Sequence, residues 1–231
     1  MKVILTNDDG IDSDGLIALT QMAERFFDQV WVVAPASEAS QIGHRVTTDL
    51  PIQIEKRGER RVAVYGTPAD CTRVALRYLT SENPDWVWSG INHGANLGRH
   101  DIAISGTVAA VREAAFLGAK AMAVSHFLKP GFNLDWPKAI ERVGSAFSKI
   151  REVTTDFGEF WNVNLPHPDA GDREPKLVFC EPEKQALEVS FEEYTQGHLN
   201  YTGKYHERPR EPGGDVDVCF GGDVAISKIE V

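Results

Sequence analysis

Two adjacent carboxylates, Asp8 and Asp9, follow the apolar run Lys2–Thr6 and precede Gly10. Like charges held side by side at the end of a buried strand repel each other, and a cation beside them relieves that repulsion. Oxygen donors with no cysteine close by select a hard ion, Mg2+ or Mn2+, over zinc. The competing explanation is local: either aspartate alone caps the next helix or closes an Asx-turn with Gly10. The tandem pair, with Asn7 before it and Asp12 and Asp14 after it, favours a metal site.

Three other segments carry polar groups in suggestive places. Ser89-Gly90-Ile91-Asn92-His93-Gly94-Ala95-Asn96-Leu97-Gly98 is punctuated by glycine and asparagine. Glycine lets backbone approach a ligand and asparagine supplies neutral oxygens, but both residues are also ordinary turn formers. Ile104-Ser105-Gly106-Thr107-Val108 leads into a helical pattern, so Ser105, Gly106 and Thr107 stand where free N–H groups meet an anion such as phosphate, or where Ser105 or Thr107 is a plain N-cap. Ala34 to His44 holds two serines and a histidine, and His44 reads equally well as a structural residue or as an acid or ligand.

These segments matter only if the fold brings them together. Lys2–Thr6, Val30–Ala34, Trp86–Ser89 and Ala121–Ser125 read as buried strands. Helical patterns separate them: Ser13 to Phe27, Pro68 to Leu79 with Thr67 as N-cap, Thr107 to Leu117, and Trp136 to about Val153 after the cap Asp135. Alternation of this kind predicts a three-layer, Rossmann-like α/β fold, a mostly parallel sheet flanked by helices. In such sheets ligands sit beyond the carboxyl ends of the strands, so the loops after Thr6, Ala34 and Ser89 should converge. Residues 46–65 read as a hairpin excursion. Residues 1–166 form the expected core. From 167 to 231 the pattern turns β-rich, with strands expected at Leu177–Cys180, Leu187–Tyr194, Val216–Phe220 and Val224–Ile229 and an exposed or interface-making loop between Gly197 and Gly214.

Bulk properties restrict partners. A 231-residue chain can bury a core without staples, and its net charge of -10 repels nucleic-acid polymers while leaving room for a small phosphate ester met by a cation and backbone N–H groups. Three scattered cysteines suit a reducing, cytoplasmic setting. Neither a signal peptide nor a membrane span is evident.

Taken together, the residues resemble the SurE (survival protein E) nucleotidase family. The likeness is carried by Thr6-Asn7-Asp8-Asp9-Gly10-Ile11, by Val33-Ala34-Pro35 with Ser40 and Gly43-His44, by Gly66-Thr67-Pro68-Ala69-Asp70-Cys71, by Ser89-Gly90-Ile91-Asn92 with Gly94 and Asn96, by Ser105-Gly106-Thr107-Val108, and by Asn162-Val163-Asn164-Leu165-Pro166. The resemblance implies one divalent metal ion per subunit, held by Asp8, Asp9, Ser40 and Asn92. It implies a substrate phosphate held by Asn96, Ser105, Gly106 and Thr107 with Gly43 and His44 nearby, and hydrolysis of nucleoside 5′- or 3′-monophosphates. It further implies homodimers or homotetramers built through the C-terminal β region. Ala36-Ser37-Glu38-Ala39 departs from the family by lacking an Asp and an Arg after Ala-Pro, and the match loosens beyond Pro166.

The candidate catalytic residues are thus Asp8, Asp9 and His44, any of which is placed to handle a proton. A broader acid phosphatase, a short-chain exopolyphosphatase and a metal-dependent nucleotide-binding protein are the alternatives. An Asp-x-Asp phosphatase is disfavoured because adjacent side chains project to opposite sides of an extended backbone.

Overall fold

In strand β1 (Lys2–Thr6), Val3 and Leu5 pack into one hydrophobic cluster and Ile4 into another. Alternation of this sort is what a strand buried on both faces requires, since successive side chains point to opposite sides. The computed structural model describes residues 1–40, 42–129, 131, 133–167 and 173–231. Gln41, in the Ala34–His44 loop, and residues 168–172, in the β-rich stretch, lie outside the described residues.

The remaining elements follow in chain order: α1 (Asp14–Ala23), β2 (Gln29–Pro35), β3 (Gln53–Gly58), β4 (Arg61–Tyr65), α2 (Pro68–Val74), β5 (Trp86–His93), α3 (Gly98–Ile104), α4 (Gly106–Phe116), β6 (Ala121–His126), α5 (Trp136–Ile150), β7 (Glu159–Leu165), β8 (Leu177–Phe179), β9 (Phe191–Thr195), β10 (His198–Tyr201), α6 (Asp215–Phe220) and β11 (Val224–Glu230). One sheet runs β3-β4-β2-β1-β5-β6-β7-β11-β8, and β9 and β10 form a separate hairpin. From β4 through β7 neighbouring strands are parallel, whereas β3 and β11 pair antiparallel with β4 and β7. The α/β class expected from sequence is the observed one, and the hairpin excursion is β3-β4, whose second strand joins the sheet beside β2.

Helices cover both faces. On one, α1 and α5 bury Leu19, Met22, Val143 and Phe147 against Trp86, Trp88 and Trp161. There the Trp88 and Phe147 rings meet edge-on with centroids 4.5 Å apart, and each such side chain buried contributes about 1.5–3 kcal/mol. On the other, α2 and α4 bury Cys71, Val108, Val111 and Ala114 against Ile4, Val87 and Phe160. Caps fix where these helices begin. Thr67 and Asp70 close a capping box on α2, and the Ser105 hydroxyl accepts from the Val108 N–H to start α4; each cap contributes about 1 kcal/mol.

The structure corrects several expectations. Pro68–Leu79 is not one regular helix, because α2 gives way to a π-helical turn, Ala75–Leu79, closed by Thr80 donating its N–H and its hydroxyl to the Ala75 carbonyl. Val216–Phe220 is the helix α6 rather than a strand. Its alternating Val216, Val218 and Phe220 imitate a period of two, but Asp215 and Asp217 in the first turn favour the helix. The strand expected at Leu187–Tyr194 begins only at Phe191 and pairs with β10 alone. Nor is 197–214 simply exposed, since Arg208 within it is buried.

Candidate functional site

The loop after β1 is shaped by Asn7, whose side-chain Nδ2 donates to the Gly10 carbonyl (2.9 Å) and the Ser13 hydroxyl (2.7 Å). Residues 8 and 9 therefore lie in a bend instead of an extended strand, and both carboxylates border one cavity of about 1640 Å3. The expectation that adjacent side chains diverge fails here because the bend removes its premise. Asp8 is buried. Its Oδ1 accepts a short hydrogen bond from the Thr107 hydroxyl, and its Oδ2 lies against Gly106, where a Cβ would stand 2.8 Å from that oxygen. Glycine at the first position of α4 is what lets the helix start come this close. Burial lifts the Asp8 pKa to about 6; the Thr107 hydrogen bond opposes the rise and the Asp9 charge adds to it. Burial raises the Asp9 pKa too, countered by the backbone N–H of His93.

The other edges of the cavity come from the segments singled out in the sequence. Glu38 and Ser40 follow β2, Asn92 is the penultimate residue of β5, Asn96 follows it, and Ser105 and Gly106 open α4. Asn92 donates its Nδ2 to the Gly94 carbonyl (2.7 Å), which leaves its Oδ1 as the donor atom for a cation. Ser40 donates to Glu38 at 2.8 Å. Asn96 is buried and sends its Nδ2 to the Ser125 hydroxyl. Thr107 is fully buried and spends its hydroxyl on Asp8.

Gly43 and His44 are placed differently. Gly43 is close to the Ile104 carbonyl, so its loop leans on the junction between α3 and α4. The His44 Nε2 lies 2.8 Å from Glu113 on α4, where Arg73 also approaches, and His44 is not among the residues bordering the cavity.

Sequence reasoning missed one wall altogether. Leu187, Tyr201, Tyr205 and His206 border the cavity from the C-terminal side, as does Asp101 from α3. Asp101 is held by Arg208 (2.7 Å), whose other nitrogen donates to the Leu97 carbonyl (2.8 Å) and whose guanidinium lies 4.9 Å from the centre of the Tyr205 ring. Burial raises the Asp101 pKa and the Arg208 charge opposes it. In turn the Asp101 carbonyl accepts the Ser105 N–H at 2.9 Å, so this buried pair supports the start of α4. No local motif signals a pair separated by 107 positions.

A doubly wound sheet with paired carboxylates and a helix N-terminus at the carboxyl ends of its central strands belongs to the class of α/β proteins that take small ligands at that edge. More particularly, the chain belongs to the survival protein SurE family, whose profile matches residues 3–188. It is 46% identical over 231 residues, the full length of both chains, to a Synechocystis sp. protein provisionally named a 5′-nucleotidase. It is 37% identical over 237 residues to the 5′-nucleotidase SurE of Allorhizobium ampelinum, covering all of this chain and 92% of that one. The crystal structure of the SurE protein from Aquifex aeolicus superposes with a TM-score of 0.87 at 30% identity, over all of this chain and 93% of that chain.

Proposed function

We propose that the protein is a divalent-metal-dependent phosphatase that hydrolyses nucleoside 5′-monophosphates, and 3′-monophosphates as well, to nucleoside and phosphate. Membership of the family and relatives named 5′-nucleotidase support the reaction class. The observation that carries it is the meeting of Asp8 and Asp9 with the N-terminus of α4 at one cavity.

The residues fit a hard cation. Asp8, Asp9, Ser40 and the Asn92 Oδ1 are oxygen donors, and the raised pKa of Asp8 marks a carboxylate that its protein surroundings alone leave undercompensated. Among the described residues no group of three or more His, Cys, Asp or Glu side chains gathers, so two acids and neutral oxygens make up the set. Bound there, Mg2+ or Mn2+ supplies Lewis-acid stabilisation of charge on the transferring phosphoryl group.

The chain's own part is positioning. The Gly106 N–H at the start of α4, with Asn96, holds the phosphoryl oxygens, and the α4 dipole favours their charge. Asp8 is a poor nucleophile because Thr107 engages one of its oxygens and Gly106 encloses the other, which favours direct attack by water, with Asp9, the more exposed of the two acids, accepting its proton. Rapid-quench trapping of labelled phosphate on the protein would overturn that choice.

The test of the whole reading is phosphate release from AMP with and without EDTA. Chelation should remove turnover by about a thousandfold, the equivalent of several kcal/mol of charge stabilisation, and added Mg2+ or Mn2+ should restore it. Chelator-resistant release, or tight AMP binding without release, sinks the proposal. A panel with 3′-AMP, short polyphosphate and p-nitrophenyl phosphate separates a nucleotidase from a broader phosphatase.

Hairpin β9-β10 exposes Phe191, Tyr194, Leu199 and Tyr201, which supports a homodimer or homotetramer joined there; a monomer mass by light scattering would refute it. No helix among the described residues is long and apolar enough to cross a membrane. We assign the protein to the cytoplasm, where free Cys71, Cys180 and Cys219 remain reduced, and recovery in an exported fraction would contradict this.

A further inference from the structure

Asn162-Val163-Asn164 stands out in the sequence, and the function proposed above gives it no task. Its alternation places Asn162 and Asn164 on one face of β7, while Val163 faces the core cluster on the other. The register sets Asn162 beside Ala123 and Asn164 beside Ser125 on β6. Each of the two asparagines is buried, as is Ser125.

All three side chains converge on Asn96. The Asn96 N–H donates to Asn164 Oδ1 at 2.8 Å, and the Asn96 carbonyl accepts from Asn164 Nδ2 at 3.0 Å and from Asn162 Nδ2 at 2.9 Å. The Asn96 side-chain Nδ2 donates to the Ser125 hydroxyl at 2.7 Å. One carboxamide thus grips both backbone groups of a single residue, which a carboxylate, lacking a donor, or an apolar side chain cannot do. An irregular loop crossing the end of a sheet has no ladder to satisfy its backbone, so these amides stand in for one.

We infer that Asn162 and Asn164 are positioning residues for Asn96, fixing its main chain so that the remaining hydrogen of its side-chain amide meets a phosphoryl oxygen. Ser125 sets the plane of that amide by taking its other hydrogen. The inference rests on the proposed role of Asn96 at the phosphate. Asn164, with bonds to both backbone groups, governs phosphate affinity most. Asn162 acts more weakly, because it shares the Asn96 carbonyl and its own Oδ1 accepts no hydrogen bond among the described residues.

The experiment is steady-state hydrolysis of AMP by the full-length, metal-loaded protein, with inorganic phosphate as competitive inhibitor, in Asn96→Ala, Asn164→Ala, Asn162→Ala and the double variant Asn96→Ala/Asn164→Ala. Asn164→Ala should raise both the KM for AMP and the inhibition constant for phosphate about tenfold, Asn162→Ala two- to threefold, and the double variant should resemble Asn96→Ala alone. Equal loss on adding Asn164→Ala to either background means that Asn164 acts only through the fold, and overturns the inference. So does weakened phosphate inhibition in Asn96→Ala with none in Asn164→Ala. Unchanged phosphate inhibition in Asn96→Ala itself removes the assignment of Asn96 to the phosphate, and the inference with it. Should Asn164→Ala not fold, Asn162→Ala carries the same comparison with a single hydrogen bond removed.

Discussion

The cavity has two kinds of wall. Its rim, built by the loops after β1, β2 and β5 and the start of α4, holds its polar groups largely with backbone atoms and short side chains, as Asn7 does within the first loop. The returning C-terminal segment is held by ionised groups taken almost completely out of water. Arg208 meets Asp101, and Asp215 accepts the N–H groups of Gly98 and Glu183 at 2.7 and 2.8 Å. The turn after β1 carries its own hydrogen bonds, whereas a segment docked by buried charge stays only while every charge keeps its partner.

The largest expected break in that contrast is Arg208→Ala. It leaves Asp101 buried without its cation and should cost about 3–5 kcal/mol, read as a fall in the urea midpoint, with activity falling too because the Asp101 carbonyl holds Ser105. Replacing both partners together, Arg208→Met with Asp101→Leu, should recover much of the stability. A loss under 1 kcal/mol in the single variant would show that the return is held by something else.

Acid should strain the seam between the two walls next. His126 ends β6, its Nδ1 bonded to the Phe127 carbonyl, and Phe127 packs on His206 and Phe220 of the returning segment. Burial lowers the His126 pKa from 6.5 to about 4, against the Phe127 hydrogen bond, and the nearby Arg142, His167 and His93 push it the same way. The unfolded chain therefore takes up this proton at a pH where the folded one refuses it. The His126 contribution to stability is complete above about 6.5 and falls as the pH drops toward 4, by roughly 3 kcal/mol, while the raised pKa of Asp8 contributes a slope of the opposite sign. Chemical denaturation across that range should show the native sequence losing more stability toward acid than His126→Asn does; equal slopes would refute the assignment.

The smallest effect tests the rim alone. Gly106→Ala puts a methyl 2.8 Å from Asp8 Oδ2 and 2.9 Å from its Cβ, a crowding worth about 1–3 kcal/mol. Both the melting temperature and kcat for AMP should fall, while native values for both would mean that Asp8 has room to move.

The same division explains what could be read in advance. That Asp8, Asp9, Asn92 and Ser105 meet at one cavity was legible because each lies at or just beyond the end of a buried strand or opens a helix, so position and residue type speak together. Thr107 was legible as a polar group at a helix start, but that its hydroxyl serves Asp8 instead of facing a ligand depends on how α4 packs beside β1. His44 shows the limit of a motif, since its residue type fits a proton carrier while its position turns it to Glu113. The Arg208 pairing had no sequence signal because its partner is chosen by tertiary docking. In α6, six residues are too few for a helical period to declare itself against the alternation of Val216, Val218 and Phe220.

Gly15, in the first turn of α1, borders the same cavity, and a Cβ there would stand 2.0 Å from the Ile91 carbonyl oxygen. Helix and strand meet backbone to backbone at that point, so the missing methyl works as a gauge block between them. Any side chain at 15 would wedge α1 outward and shift the end of β5 that carries Asn92, altering the span between the first and fifth strand tips without touching either acid. The width of the opening is thereby set by an atom that is not there.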